Sequence, residues 1–218
     1  MHRTSGGGIF RAYPSNVALY TQLLAEQDLT DEQQKLVGQI SVSADKLTFL
    51  IQSLVKTSRL ESGIVKIEPK PGNVYKLVAA AIAECKSLAD AKNIVLSSTE
   101  STEPVFALYD PRWCAEAFFN IIENAVKYTP ENGSVTVAVT EYEMFIRIDV
   151  TDTGRGIREE DLPKVFGRFW RAVESADNSG VGVGLYLALE IITACGGYIK
   201  AASVFGKGST FSAFLSKV

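Results

Sequence analysis

Three short segments of this 218-residue chain carry side chains whose types and spacing suit chemistry. The first is Asn120-Ile-Ile-Glu123-Asn124-Ala-Val-Lys127-Tyr128. On a helix, Asn120, Glu123, Asn124, Lys127 and Tyr128 share one arc of roughly 140°. Phe118, Phe119, Ile121, Ile122, Ala125 and Val126 fill the other side. Asparagine is a mediocre helix former because its amide competes for backbone bonds, so two of them one turn apart call for a reason. Together the five polar groups offer oxygen ligands for a hard cation and an ammonium for a phosphate. A plain amphipathic surface helix is the alternative. The second segment, Asp152-Thr-Gly154-Arg155-Gly156-Ile157, follows a β-branched run. It sets an acceptor carboxylate at the end of a strand, and its glycines admit close approach of a ligand. A carboxylate accepts from an exocyclic amine, so an adenine ring is a natural guest; a tight turn is the alternative. The third segment is Gly180-Val-Gly182-Val-Gly184-Leu185. Glycines opening a helix expose successive N–H groups to an anion. Their spacing is GxGxG rather than GxGxxG, and GxxxxGK[ST] is absent, so neither a dinucleotide fingerprint nor a P-loop is supported.

Between the second and third segments lie Val165-Phe-Gly-Arg168-Phe-Trp-Arg171 and a polar run from Glu174 to Ser179. That composition suits a mobile lid, with Arg168 or Arg171 able to reach a terminal phosphate, while the aromatics suit a core.

These segments need elements to position them. The leader 1–8, MHRTSGGG, reads as a tag or flexible start and is excluded from fold reasoning. Residues 9–26 are patchily helical. Thr30 with Gln33 forms a capping box, and apolar residues at Leu36, Ile40, Leu47, Leu50, Ile51, Leu54 and Leu60, with Ser43 filling the gap after Ile40, follow mostly in three- and four-residue steps up to Ser62-Gly63. A helix of that length overreaches a small core and suits a helical hairpin, 9–66, that dimerises. Glu68-Pro-Lys-Pro-Gly-Asn73 reads as a linker, which sets a domain boundary near residue 67. The domain 67–218 is expected to hold helices over 74–92, 110–127 and 185–195. Its strands are expected over 94–98, 105–109, 135–140, 145–151, 198–203 and 209–215. Helices and strands mix without strict βαβ alternation, so the class is α+β.

Composition narrows the partners. Lys and Arg number 22 against 25 Asp and Glu, a net charge of −3, which gives no global pull toward nucleic acid or anionic lipid. No run of apolar residues is long enough for a transmembrane helix, and the start lacks a signal peptide's apolar stretch. The three cysteines, Cys85, Cys114 and Cys195, are odd in number and lack CxxC spacing, so they read as small buried apolar residues in a reduced compartment. His2 is the sole histidine and stands at the unanchored start.

The ordered series NIIENAVKYTP, DTGRGI, FGRFW, GVGVGLYLA and GKGSTF resembles the N, G1, F and G2 boxes of sensor histidine kinases of two-component systems. Those kinases belong to the wider class of gyrase, heat-shock-90 and mismatch-repair ATPases. The resemblance spans roughly residues 67–218 and implies a two-layer α/β sandwich. The preceding segment, YTQLLAEQDLTDEQQ and a long helix ending SRLESG, looks like the family's dimerisation and phosphotransfer hairpin. By that resemblance the cofactors are ATP and Mg²⁺. Asp152 would accept from adenine with Thr210 nearby. Asn124 would hold Mg²⁺ with Asn120 alongside, and Glu123 would help orient the attacked phosphate. Lys127, Tyr128 and Arg168 would contact phosphates or frame the pocket, which Gly154, Gly156, Gly180, Gly182 and Gly184 would shape. Val181 stands where the family often has Thr, a change expected to remove one phosphate hydrogen bond. The implied partners are a second copy of the chain and a response-regulator receiver domain. The implied location is cytoplasmic, the parent protein being anchored by family habit.

The first helix departs from the pattern. The family sets a phosphoacceptor His and an acidic residue about five residues before a Pro. Counting back from Pro14 reaches Ile9 and Phe10, neither of which can accept a phosphoryl group or act as a base. The expectation is therefore a chain that binds Mg·ATP without autophosphorylating on histidine, the box being either replaced by the leader or naturally absent. A nucleotide-sensing dimeric scaffold is the competing reading. A serine-phosphorylating kinase of the anti-sigma type is a third, which the long hairpin opposes.

Overall fold

The computed structural model describes residues 9–99, 103–171 and 182–218. The leader, the Glu174–Ser179 run, Gly180 and Val181 lie outside the described residues. In order, the chain forms α1 (Ile9–Ala25), α2 (Asp31–Glu61), β1 (Lys70–Asn73), α3 (Val74–Asp90), β2 (Val95–Ser98), β3 (Phe106–Tyr109), α4 (Pro111–Tyr128), β4 (Ser134–Glu141), β5 (Phe145–Asp152), α5 (Gly184–Ala194), β6 (Tyr198–Val204) and β7 (Gly208–Ser216). It divides into two compact units, one holding the helices as far as Ser58 and the other running from Arg59 through the sheet.

In the first unit the capping box forms as the sequence requires. The Thr30 N–H donates to Gln33 Oε1 at 2.9 Å, and the Gln33 N–H donates to Thr30 Oγ1 at 3.3 Å, so α2 starts at Asp31. It ends before Gly63, whose φ of 65° supplies the left-handed turn. Along α2 the stepped residues Leu36, Ile40, Leu47 and Leu54 stay about half exposed, at 53%, 49%, 55% and 45%. The seam anticipated from their spacing is therefore an uncovered apolar stripe.

The second unit is the α+β, two-layer sandwich. Its five-stranded sheet has the order β2-β4-β5-β7-β6; β2 runs parallel to β4 and every other pair is antiparallel. Side chains of β5 and β7 alternate. Ile146, Ile148 and Val150, with Phe211, Ala213 and Leu215, turn inward onto Phe118, Ile121 and Ile122 of α4 and onto Ile191 and Ile192 of α5. Polar residues such as Arg147, Thr151 and Lys200 take the other face. Each helix starts where a local signal says it should. Asn73 Oδ1 accepts from the Tyr75 and Lys76 N–H groups to open α3, and Asp110 accepts from Arg112 and Trp113 to open α4, with Pro111 in the first turn.

One expectation is corrected. Lys70–Asn73, taken as linker, is a strand that pairs antiparallel with β3 from Lys70↔Tyr109 to Asn73↔Phe106. Pro71 is tolerated because this is a two-stranded sheet, where a proline's missing donor can face outward. Gly72 is required because a Cβ there would stand 2.5 Å from the Tyr109 ring. The Tyr109 hydroxyl then donates to the Asn73 carbonyl at 2.9 Å.

Candidate active site

β5 ends at Asp152, on the strand face that carries Ile146, Ile148 and Val150, so the carboxylate turns toward the helices and is only 5% exposed. Its Oδ1 accepts two backbone N–H bonds, from Gly154 at 2.8 Å and Ser209 at 3.3 Å. No donor among the described residues reaches Oδ2. Burial lifts the carboxyl above the ordinary Asp range, and the Gly154 and Ser209 N–H groups pull it partly back. The result is a desolvated acceptor, fixed in orientation, with one oxygen free to take a donor.

The glycines around it are there for contact. A Cβ on Gly154 would stand 2.5 Å from the Tyr128 carbonyl and 2.6 Å from Asp152 Oδ1. Gly156, at φ 70°, would meet the Val204 carbonyl at 2.2 Å. The turn after β5 is thus clamped between the end of α4 and the β6–β7 turn. Supporting bonds are Arg155 N–H to the Tyr128 carbonyl (3.4 Å), Gly206 N–H to the Arg155 carbonyl (2.7 Å) and Ile157 N–H to Ser203 Oγ (2.7 Å).

α4 brings its polar arc to the same neighbourhood. Asn120 is buried. Its Nδ2 donates back to the Glu116 carbonyl at 2.7 Å, which turns Oδ1 toward Gly184 at the start of α5. A Cβ on Gly184 would lie 2.8 Å from that oxygen. The side chain of half-buried Asn124, one turn on, has no hydrogen-bond partner among the described residues. A free amide oxygen, with a second one turn earlier, is a donor set that fits a hard cation. Tyr128 is stacked by Arg155, whose guanidinium carbon sits 4.7 Å from the ring centroid, and Lys127 Nζ is 5.3 Å from the same ring. Glu123 sits toward α3. Burial raises its carboxyl, Lys127 partly opposes the rise, and its charge helps burial push the Cys85 thiol of α3 up to about 12.

α5 starts without a side-chain cap at Val183, so its first N–H groups have no partner of that kind. Gly182, at φ 75°, lies where a Cβ would be 2.5 Å from the Trp170 carbonyl, which ties the helix start to the aromatic segment. Phe166 from that segment packs edge-on to Phe211 with centroids 6.1 Å apart, a core role as the aromatic composition suggests.

Two anticipated residues stand elsewhere. Thr210 pairs with Thr151, not Asp152, and the two hydroxyls bond each other at 3.0 Å on the sheet's opposite face. The residue that serves the carboxylate is Ser209, through its N–H. The cause is register, because a one-residue step along a strand reverses the face. Arg168 pairs with the Glu61 carboxylate and donates to the Tyr186 hydroxyl at 2.9 Å; that hydroxyl in turn donates to Glu61 at 2.6 Å. Its charge is therefore answered by Glu61 at the end of α2.

Lys92 carried no signal in the sequence and is structurally central. Its ammonium donates to the Val126 and Lys127 carbonyls at 2.9 Å each and to the Thr129 carbonyl, capping the end of α4. Lys92→Met removes all three bonds while keeping most of the stem. It is expected to cost roughly 2–3 kcal/mol, read from urea unfolding of the whole chain.

The family model described as "Histidine kinase-, DNA gyrase B-, and HSP90-like ATPase" matches residues 109–218, which takes in Asp152, both asparagines and the glycines. The chain belongs to this ATPase family. Curated proteins that it matches are named as histidine kinases. It is 31% identical over 199 residues to the sensor histidine kinase GacS of Pseudomonas protegens, covering 88% of this chain and 22% of that protein. It is 28% identical over 195 residues to histidine kinase P4 of Formosa agariphila, covering 87% of this chain and 14% of that one. The chain thus spans about a fifth or less of the length of these relatives. Among solved structures, full-length ShkA in complex with AMPPNP superposes with a TM-score of 0.77 at 24% identity, over 97% of this chain and 45% of that one. The Acinetobacter baumannii histidine kinase AdeS gives 0.69 at 19% identity, over 94% and 95%. These likenesses bear out the histidine-kinase type of the fold. For this histidine-kinase-type ATPase domain, no helix among the described residues is long and apolar enough to cross a membrane.

Proposed function

We propose that the chain is the ATP-binding catalytic portion of a two-component sensor histidine kinase, holding Mg·ATP between α4, the turn after β5 and the start of α5. The observation that carries this reading is the buried Asp152 carboxylate, with Oδ1 committed to two N–H groups and Oδ2 open. An exocyclic amine is the donor such an oxygen accepts, and Gly154 leaves room for a ring beside it. Asn124 and Asn120 would hold the magnesium ion, which when bound would neutralise charge on the phosphates. Lys127 and Tyr128 frame the phosphate side. The uncapped start of α5, with Gly182 and Gly184, offers N–H groups to an anion. Glu123 would help orient the attacked phosphate. Arg168 would reach a phosphate on leaving Glu61. Catalysis in such a site rests on positioning and charge stabilisation rather than on covalent steps by the protein.

The apolar stripe of α2 fits dimerisation of the segment 9–66, with 67–218 as the catalytic domain. The parental reaction would move the γ-phosphoryl group of ATP to a histidine and then to an aspartate of a response-regulator receiver domain, in the cytoplasm. The present chain has Ile9 and Phe10 where the acceptor pair belongs, so it should bind nucleotide without forming phosphohistidine. The test is calorimetric titration of Mg·ATP, followed by incubation with labelled ATP and acid treatment. Saturable binding with no acid-labile phosphate is expected. No binding would turn the reading to a scaffold that uses the fold without nucleotide, and acid-labile phosphate would overturn the second half.

A further inference from the structure

The three cysteines are buried with free thiols, and two of them meet. Cys114 Sγ and Cys195 Sγ are 3.5 Å apart although 81 residues separate them in the chain. Cys85 belongs to neither, its thiol directed at the Phe119 carbonyl at 3.8 Å. We propose that Cys114 and Cys195 are a dithiol that a peroxide oxidises to a disulfide, joining the first turn of α4 to the end of α5.

The placement favours closure. A disulfide needs the sulfurs at about 2.05 Å, so the gap must shrink by about 1.5 Å. Both residues sit at helix ends rather than in helix middles. Cys114 is in the first turn of α4, its N–H on the Asp110 carbonyl at 2.9 Å. Cys195 caps α5 and is followed by Gly196, at φ 79°, around which a Cβ would meet nothing within 4 Å. Backbone next to such a residue can shift without a clash. A buried pair of cysteines used only as small apolar residues gains nothing from pointing sulfur at sulfur, since any aliphatic side chain would fill the space.

The two thiols have different roles. Cys195 keeps 5% exposure and Cys114 none, so local opening at the end of α5 presents Cys195 first to an oxidant. With the Cys114 S–H as donor across this contact, the Cys195 thiol is held below the ordinary range and Cys114 is raised. Thiolate character therefore gathers on the Cys195 sulfur, and the thiolate is the form that reacts with peroxide. The Cys195 thiolate attacks hydrogen peroxide. An S–O bond forms, the O–O bond breaks, and the leaving hydroxide takes a proton as water. The Cys114 sulfur then attacks the Cys195 sulfenic acid. The S–S bond forms, the S–O bond breaks, and the oxygen leaves as a second water carrying the Cys114 proton. Two thiols and one peroxide give one disulfide and two waters, and a dithiol reductant reverses the change.

α4 and α5 also carry Asn120 and Gly184, so the bridge would fix the far end of the helix pair that forms the phosphate side of the proposed pocket. The proposal itself does not depend on nucleotide binding. The test treats the native chain with hydrogen peroxide, quenches it, unfolds it in alkylating agent and digests it with trypsin. The expected result is loss of two of the three free thiols, a chain lighter by about two mass units, and a linked pair of the tryptic peptides spanning 113–127 and 172–200. Cys85 should stay alkylatable. Alkylation of all three, sulfinic acid on Cys195 without a link, or a bridge through Cys85 or between chains would overturn it. A thermal melt gives a second reading that needs no variant. The oxidised chain should unfold several degrees higher and return to its original temperature with dithiothreitol. An unchanged or lower temperature would overturn the joining of the helices.

Discussion

Asp152→Asn is expected to weaken Mg·ATP binding about 100-fold or more while leaving the fold intact. Oδ1 takes the Gly154 and Ser209 N–H groups, so in the variant the amide oxygen must occupy that position and the NH₂ must replace Oδ2. A donor would then face the donor of the adenine amine in a desolvated site, and the lost attraction becomes a repulsion. The two N–H bonds that order the turn survive, so the unfolding temperature should stay level or rise. Calorimetry and a thermal melt separate the two effects, and retained binding in the variant would remove Asp152 from the pocket. The same carboxylate makes pH informative. Its folded pKa is raised above the unfolded value, so its contribution to stability is full below the unfolded pKa and is lost as pH rises through the folded one. Nucleotide binding needs the ionised form, so affinity should fall as pH drops through that raised value. Binding and apo stability should thus move in opposite senses in mildly acidic buffer, and Asp152→Asn should flatten both.

Gly208→Ala should be the most damaging small substitution near the site. Gly208 adopts φ 118°, a region that side chains avoid, and a Cβ there would stand 2.0 Å from the Asp152 carbonyl. The obstacle is backbone on the paired strand, so no rotamer can relieve it. Strain and overpacking together suggest roughly 3–5 kcal/mol. For a chain of this size that lowers the unfolding temperature by about 10 °C. Any relief must move β7 away from β5 beside Asp152, so nucleotide affinity should fall with stability. A normal melt for Gly208→Ala would mean that the turn between β6 and β7 takes another conformation in solution.

Much of the fold was legible in the residues. Thr30 with Gln33, Asp110 with Pro111, and Gly63 mark helix ends because caps and left-handed turns are local contacts, satisfied within a few residues of chain. The alternation of β5 and the polar arc of α4 were readable for the same reason, since a side chain's face follows from its spacing. The strand at Lys70–Asn73 was not, because Pro71 and Gly72 look like loop until Tyr109, far along the chain, supplies the partner that makes glycine necessary.

The candidate site divides along the same line. Sequence alone determined which residues could do chemistry: the two asparagines one turn apart, the acceptor carboxylate, and glycines where backbone must come close. Tertiary structure decided which of them meet. Pairing register turned Ser209 rather than Thr210 toward Asp152. Chain return brought Lys92 under the end of α4, Glu61 to Arg168, and Cys195 to Cys114. Spacing records periodicity within one element, but it holds no information about which distant element arrives opposite, because that is set by how the whole core packs.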